Sequence, residues 1–276
     1  MPHNPARAPS LNLPSPRRLL ILATAVVVAL VSVVFTIAAP AQASTPRPTI
    51  VLVHGAFSGS SAWNEVTAGL HKDGYTTVAP ALTLSGLADD VATVRAALDA
   101  TPGPKILVGH SYGGFVVSNA ATGRADVVGL VFTAAFLPDD GDTIGGLGTG
   151  YAPASFLAPG HLVVDQNGVA TITPANYRED FAQDLNPKLA GSMAAAQTPT
   201  SLSILFTPSG PPAWRDLPSW YAVSGADRVI DPALQRAMAT RAGSTVVTFD
   251  DASHAGGFTH YSSRFVKLVE KAATSR

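Results

Sequence analysis

The chain has no cysteine among its 276 residues. That excludes disulfides, a thiol nucleophile and any metal site built on thiolates. Excess charge is missing too: 18 Lys plus Arg stand against 19 Asp plus Glu, a formal net charge of -1. No basic stripe or acidic tail interrupts that balance, so nothing points to a nucleic acid partner. Internal repeats are absent as well, which removes solenoids and propellers from consideration.

What is present begins with an apolar leader. Arg17-Arg18 precedes a run from Leu19 to Ala39, and Ala41-Gln42-Ala43 then supplies small residues at the spacing of a cleavage site. A basic region, an apolar region and an A-x-A site make residues 1–43 an expected export signal, cut before Ser44. The product would be a secreted protein with no stable membrane association. The apolar run is close to the roughly 20 residues that span a bilayer, so an uncleaved N-terminal membrane anchor is the rival expectation. The paired arginines suit twin-arginine export, and Sec export fits almost as well. This leader also raises the mean hydropathy of the chain, +0.23. Residues 44–276 have the length of one domain and can bury a large core, on which an exported chain without disulfides must rely.

Beyond the leader, strands and helices alternate. Thr49–Val53 is a continuous β-branched run, as expected of a strand buried on both faces. Ser60 or Ser61 is placed to cap a helix carrying Trp63, Val66 and Leu70 on one face. A short strand at Thr76–Ala79 is followed by a helix marked by Leu87, Val91, Val94 and Leu98. Ile106–Val108 and Val127–Ala135 read as further strands. From Leu137 to about Pro218 the alternation stops, apart from a helical tendency over Asn176–Ala196, and residues 137–218 read as a lid insertion. Alternation resumes with a strand at Trp220–Val223, a helix from Asp231-Pro232 to about Arg241, a strand at Thr245–Phe249 and a closing helix. The pattern predicts a mainly parallel α/β sheet of six strands flanked by helices, with its loops gathered at the strands' carboxyl ends.

Three polar residues follow strands at that edge: Ser111, Asp227 and His254. Ser111 sits in Gly109-His110-Ser111-Tyr112-Gly113-Gly114, between a buried strand and a helix. A Gly-x-Ser-x-Gly turn in that context exposes a serine hydroxyl at the amino end of a helix. The bland reading is a glycine-rich turn whose serine only caps the helix. Serine needs a base to become a nucleophile, and an imidazole needs a carboxylate to fix its tautomer. His254 is the expected base and Asp227 the expected acid. Asp231 competes for the acid role, but the proline after it suits a helix cap, and Asp251 is very close to His254 along the chain. His110 is expected to pack or hydrogen-bond beneath the turn.

With these residues in view, the chain from about Thr49 to its end, the lid excepted, resembles the α/β-hydrolase superfamily. Within it the chain looks like the small esterase-like members bearing His-Gly-x after the first strand and Gly-His-Ser-x-Gly-Gly at the nucleophile elbow. The order Ser, Asp, His is also that of the superfamily. The resemblance implies that the amides of Ala56 and Tyr112 form an oxyanion hole. Phe57 replaces Ala56 if the loop runs one residue out of step, and His54 would brace that loop. A reduced core of six strands is implied, since the chain has no room for an extra N-terminal hairpin.

One departure stands out. Ala255-Gly256-Gly257 follow His254 where bulkier residues are usual, so Phe57, Gly256 and Gly257 are expected to bind substrate, the glycines forming a roomier wall. Hydroxynitrile lyases of this type place a lysine where Ala255 stands, and dehalogenases and epoxide hydrolases place an aspartate where Ser111 stands. The expected function is a serine carboxylesterase acting on small or medium acyl esters through an acyl-enzyme, with no metal and no cofactor implied. The alternatives are a catalytically silent relative binding a small ligand under its lid, or a cofactor-free haloperoxidase or lyase on the same fold.

Overall fold

The computed structural model describes residues 1–3 and 46–275. The export signal expected at residues 1–43 therefore lies outside the described residues, apart from the first three. Among the described residues no helix is long and apolar enough to cross a membrane.

In chain order the elements are β1 (Thr49–Val53), α1 (Asn64–Lys72), β2 (Thr77–Val78), α2 (Leu87–Asp99), β3 (Lys105–His110), α3 (Tyr112–Ala120) and β4 (Val127–Thr133). The insertion then supplies a helical turn at Ile144–Leu147, β5 (Leu162–Val164), β6 (Val169–Ile172), α4 (Pro174–Phe181), α5 (Pro187–Ala195) and β7 (Thr200–Ser201). The main fold resumes with β8 (Ser219–Ser224), α6 (Pro232–Arg241), β9 (Thr245–Phe249) and α7 (Ser262–Thr274).

Six strands form the main sheet in the order β2-β1-β3-β4-β8-β9, every neighbouring pair parallel. Residue alternation divides its side chains between two cores. Ile50, Leu52, Ile106 and Val108 point to the face covered by α1 and α7, against Trp63, Val66, Phe265 and Val269. Val51, Val53, Leu107 and Phe132 point to the other face, against Val94 and Leu98 of α2, Phe115 and Val116 of α3, and Leu234 and Met238 of α6. All four residues named in β1 and all three of Ile106–Val108 are fully buried, which is why they read as unbroken apolar runs. Each such side chain contributes about 1.5–3 kcal/mol of burial.

Two local expectations change. The chain before α1 is a 3-10 turn, Ser60–Trp63, capped by Gly59 without a side-chain bond. Ser60 and Ser61 therefore sit inside the turn rather than ahead of it, and Ser60 Oγ has no partner among the described residues. The helical tendency over Asn176–Ala196 resolves into two helices, α4 and α5, and the insertion also holds a small antiparallel sheet, β5-β6-β7, that was not expected.

Candidate active site

Ser111 leaves the end of β3 and begins α3 with φ 54° and ψ −126°. A non-glycine residue in that conformation stores about 1–3 kcal/mol of strain, which the surrounding structure must impose. Here the elbow's own packing imposes it. A Cβ on Gly109 would lie 2.7 Å from Gly114 Cα, and one on Gly113 would collide with the carbonyl of Val53. The Ser111 amide donates to Ala134 O at 3.1 Å, and its carbonyl accepts from Gly114 at 2.9 Å and Phe136 at 3.1 Å. Strand and helix thus cross at backbone distance, leaving the serine side chain on the outside of the turn.

His254 and Asp227 come together after β9 and β8. Nδ1 of His254 lies 2.8 Å from Asp227 Oδ2, and both side chains are fully buried. The carboxylate is satisfied at every point. Oδ1 accepts from the amides of Val229 (2.7 Å) and Ile230 (3.0 Å), and Oδ2 also accepts from Gln235 Nε2 at 2.7 Å. Four donors keep a buried carboxylate tolerable without a full counter-charge. A carboxylate at Nδ1 makes that nitrogen the donor and leaves the lone pair on Nε2, which has no partner among the described residues. No hydrogen bond joins Nε2 to Ser111 Oγ in this structure; such bonds commonly tighten only when substrate is bound.

The competing acids stay apart. Asp231 caps α6, accepting from Ala233 N at 2.8 Å, and also holds Ala152 N at 3.1 Å. Asp251 is exposed.

His110 links the two halves. Its Nε2 donates to the His254 carbonyl at 3.1 Å and its ring lies 4.6 Å from the His254 ring. Burial, reinforced by His254 beside it, holds this imidazole well below its ordinary pKa. His54 bridges two backbone groups, Nδ1–H to Gly55 O at 2.9 Å and Nε2 from Leu82 N at 3.0 Å. Only the neutral ring can donate at one nitrogen and accept at the other, and burial lowers its pKa accordingly.

On the other side of Ser111, Ala56, Phe57 and Tyr112 line one cavity with it. Phe57 N–H is already engaged with Thr200 Oγ1 at 3.0 Å. The amides of Ala56 and Tyr112 donate to nothing among the described residues. The Tyr112 hydroxyl donates to Asp90 Oδ2 at 2.9 Å, and Asp90 Oδ1 accepts from Thr83 N at 2.9 Å and Leu84 N at 3.0 Å. Burial and the neighbouring Asp90 carboxylate push the phenol pKa far above its usual range. One buried network thus ties the residue after Ser111 to the loop that also binds His54.

The cavity measures about 240 Å³ and its wall is mainly apolar, with Ile144, Phe156, Phe181, Leu202 and Ile204 contributed by the insertion. Among the described residues no lysine, arginine or histidine lines it, while Asp231 does. Gly256 and Gly257 do not line it either, and the expected substrate wall is corrected on that point. Both are buried in packing: a Cβ on Gly256 would fall on Asp184 Oδ2, and one on Gly257 would meet Thr133 Oγ1 at 2.9 Å.

Two partners escaped the sequence reading, Gln235 and Asp90, each fully buried. Both carried a usable signal. Asp90 falls on the face of α2 marked by Leu87 and Val94, and Gln235 lies between Leu234 and Met238 on the buried face of α6. A polar residue at a core position needs partners, and these have them.

Comparison with known proteins shows the family and the fold. The family described as "Alpha/beta hydrolase family" matches residues 50–270. The alpha/beta hydrolase nvfD of Aspergillus novofumigatus is 26% identical over 215 residues, covering 70% of this chain and 83% of that protein. A carbendazim hydrolyzing esterase of Nocardioides sp. is 36% identical over 107 residues, 34% of this chain and 44% of the esterase. Among solved structures, the pyrethroid hydrolase PytH superposes with a TM-score of 0.69 at 25% identity, over 83% of this chain and 98% of that one.

Proposed function

The chain belongs to the alpha/beta hydrolase family, and from that premise we propose that it is an exported serine esterase whose triad is Ser111, His254 and Asp227. The observation that carries the reading is the His254 imidazole, with Nδ1 committed to a buried, fully bonded carboxylate and Nε2 without a partner among the described residues. Such a ring takes a proton at Nε2 and is stabilised as imidazolium by Asp227.

In the proposed reaction, Ser111 Oγ attacks the ester carbonyl while His254 accepts its proton. The carbonyl oxygen becomes an oxyanion received by the amides of Ala56 and Tyr112, and the start of α3 favours negative charge at the same point. Collapse of the intermediate releases the alcohol, protonated by His254, and leaves an acyl-enzyme at Ser111. Water then repeats the sequence and frees the acid.

An apolar cavity without a cationic lining residue suits an uncharged ester whose acyl or alcohol portion is hydrophobic. The carbendazim hydrolyzing esterase and the pyrethroid hydrolase are relatives named for small-molecule substrates, which supports that class. Residues 137–218 serve as the lid over this cavity, and residues 44–276 are the secreted domain. Intact-mass measurement of protein from the medium checks the processing: the mature chain should begin at Ser44, and a retained leader on membrane-bound protein contradicts it.

Turnover of p-nitrophenyl esters of increasing acyl length tests the reading, with Ser111→Ala as control. Hydrolysis by the wild type and its loss in a folded Ser111→Ala protein are expected. Equal rates in both contradict the assignment.

A further inference from the structure

The segment Glu179–Asp184, at the end of α4 and in the turn after it, touches the site at four points, three of them on the site's backbone and one through the Arg228 guanidinium. Each falls on a residue next to Asp227 or His254. Gln183 Nε2 donates to Ala226 O at 2.6 Å, just before the acid. Arg228, just after it, donates to Glu179 O at 3.1 Å and pairs with the Glu179 carboxylate. Ser253, just before the base, donates its amide to Asp184 Oδ2 at 3.1 Å. Ala255, just after it, donates its amide to Phe181 O at 3.0 Å. The Phe181 ring also stands edge-on to the His254 ring, 4.6 Å between centres, while lining the cavity.

The main fold also joins these loops, through Gly225 N–H to Phe249 O at 2.9 Å and Ala226 N–H to Ala252 O at 3.0 Å. His110 Nε2 holds the His254 carbonyl at 3.1 Å, but none of these contacts reaches Ser253 or Ala255. Gly256 belongs to the same arrangement: a side chain there would occupy the place of the Asp184 carboxylate. Its glycine lets a group from the insertion reach the loop of the base.

We propose that Asp184 is a positioning residue for His254, so that the insertion holds the base in register with the acid as well as covering the cavity. The carboxylate fixes Ser253, and Phe181 fixes Ala255 and the ring between them. The proposal rests on the hydrolase reading above. Since a misplacement of about 1 Å in a catalytic group costs about a hundredfold in rate, loosening this loop should be visible in turnover.

The test uses full-length wild type, Ser111→Ala, Asp184→Ala and Asp184→Asn, assayed with p-nitrophenyl butyrate and by amide hydrogen exchange. Asp184→Ala should lower kcat by about tenfold or more and change KM by less than about threefold, because Asp184 does not line the cavity. Asp184→Asn keeps an oxygen that accepts the Ser253 N–H, and should retain kcat within about threefold. Exchange protection of Ser253 and Ala255 should fall in Asp184→Ala, while Gly114 and Phe136 at the elbow stay protected. A folded Asp184→Ala protein with kcat within about twofold of wild type and unchanged protection at Ser253 overturns the proposal. If that variant does not fold, Asp184→Ser, too short to reach Ser253 N–H, decides: a kcat loss at constant KM supports the proposal, and wild-type kcat overturns it. Absence of turnover in the wild type removes the hydrolase reading instead, and exchange at Ser253 then judges the positioning role alone.

Discussion

Ser111 and His254 are held in different ways. The serine's supports come from α3 and the chain just after β4: its amide donates to Ala134 O, its carbonyl accepts from Gly114 and Phe136, and glycines at 109 and 113 allow strand and helix to cross. His254 is bonded to Asp227 in the turn after β8, but the residues on either side of the histidine are gripped by the insertion through Asp184 and Phe181. The serine half is thus fixed by backbone contacts that leave no alternative. The base half is fixed partly by side chains on a segment that also walls the cavity. A fold can exchange the second kind of support far more readily than the first.

Substitutions sharpen the contrast, beginning with the largest effect. Ser111→Ala and His254→Ala should each cut ester turnover by about 10⁴-fold with the fold intact, and Asp227→Asn should be severe as well. Steady-state rates on protein with native circular dichroism check this. Near-normal activity in any of the three removes that residue from the proposed triad.

A glycine swap in each half probes the kind of support. Gly113→Ala sets a methyl against the Val53 and His54 carbonyls, and should cost about 3 kcal/mol or more by denaturant titration. Gly256→Ala meets the end of the Asp184 side chain as well as Ser253 N at 2.8 Å. It should lose less stability than Gly113→Ala and proportionately more kcat. Equal stability losses would erase the distinction between the halves.

Gln235→Leu removes one of the four donors to Asp227 and the acceptor for Ser224 N. A charge-assisted bond of this kind is worth about 1.5–3 kcal/mol, so kcat should fall roughly tenfold while KM stays near wild type. A change confined to KM would mean that Gln235 acts on the cavity rather than on the acid.

Acid should weaken the serine half. His54 and His110 are both lowered from the ordinary histidine value of 6.5 by burial. Below about pH 6.5 the unfolded chain binds protons that the folded rings refuse, so stability falls with pH until the folded rings protonate. The melting temperature should be lower at pH 5.5 than at pH 7.5, and an equal or higher value at pH 5.5 contradicts the neutral-ring assignment. The smallest effect is expected of Asp231→Ala, which removes the α6 cap and costs about 1 kcal/mol.

Most of the main fold was legible because it follows backbone rules. Buried parallel strands such as Ile106–Val108 read as apolar runs, Asp231-Pro232 announced α6, and the glycines around Ser111 announced a crossing too close for side chains. The insertion was harder to read. β5 to β7 have two to four residues each, and Val163 and Val164 of β5 are exposed, so no periodicity develops. Asn167-Gly168 was a hairpin signal that could have revealed β5 and β6. Gly256 and Gly257 show a different limit. A glycine signals close approach, but the sequence does not say whether ligand or protein comes near, and here Asp184 and Thr133 do.

The central claim is that Ser111 is a nucleophile activated by His254, and a fluorophosphonate probe reads that directly. Wild-type protein should carry one adduct, mapped by peptide mass spectrometry to Ser111, and folded His254→Ala should carry almost none. An unlabelled wild type, an adduct on another residue, or equal labelling of the two proteins would contradict the account.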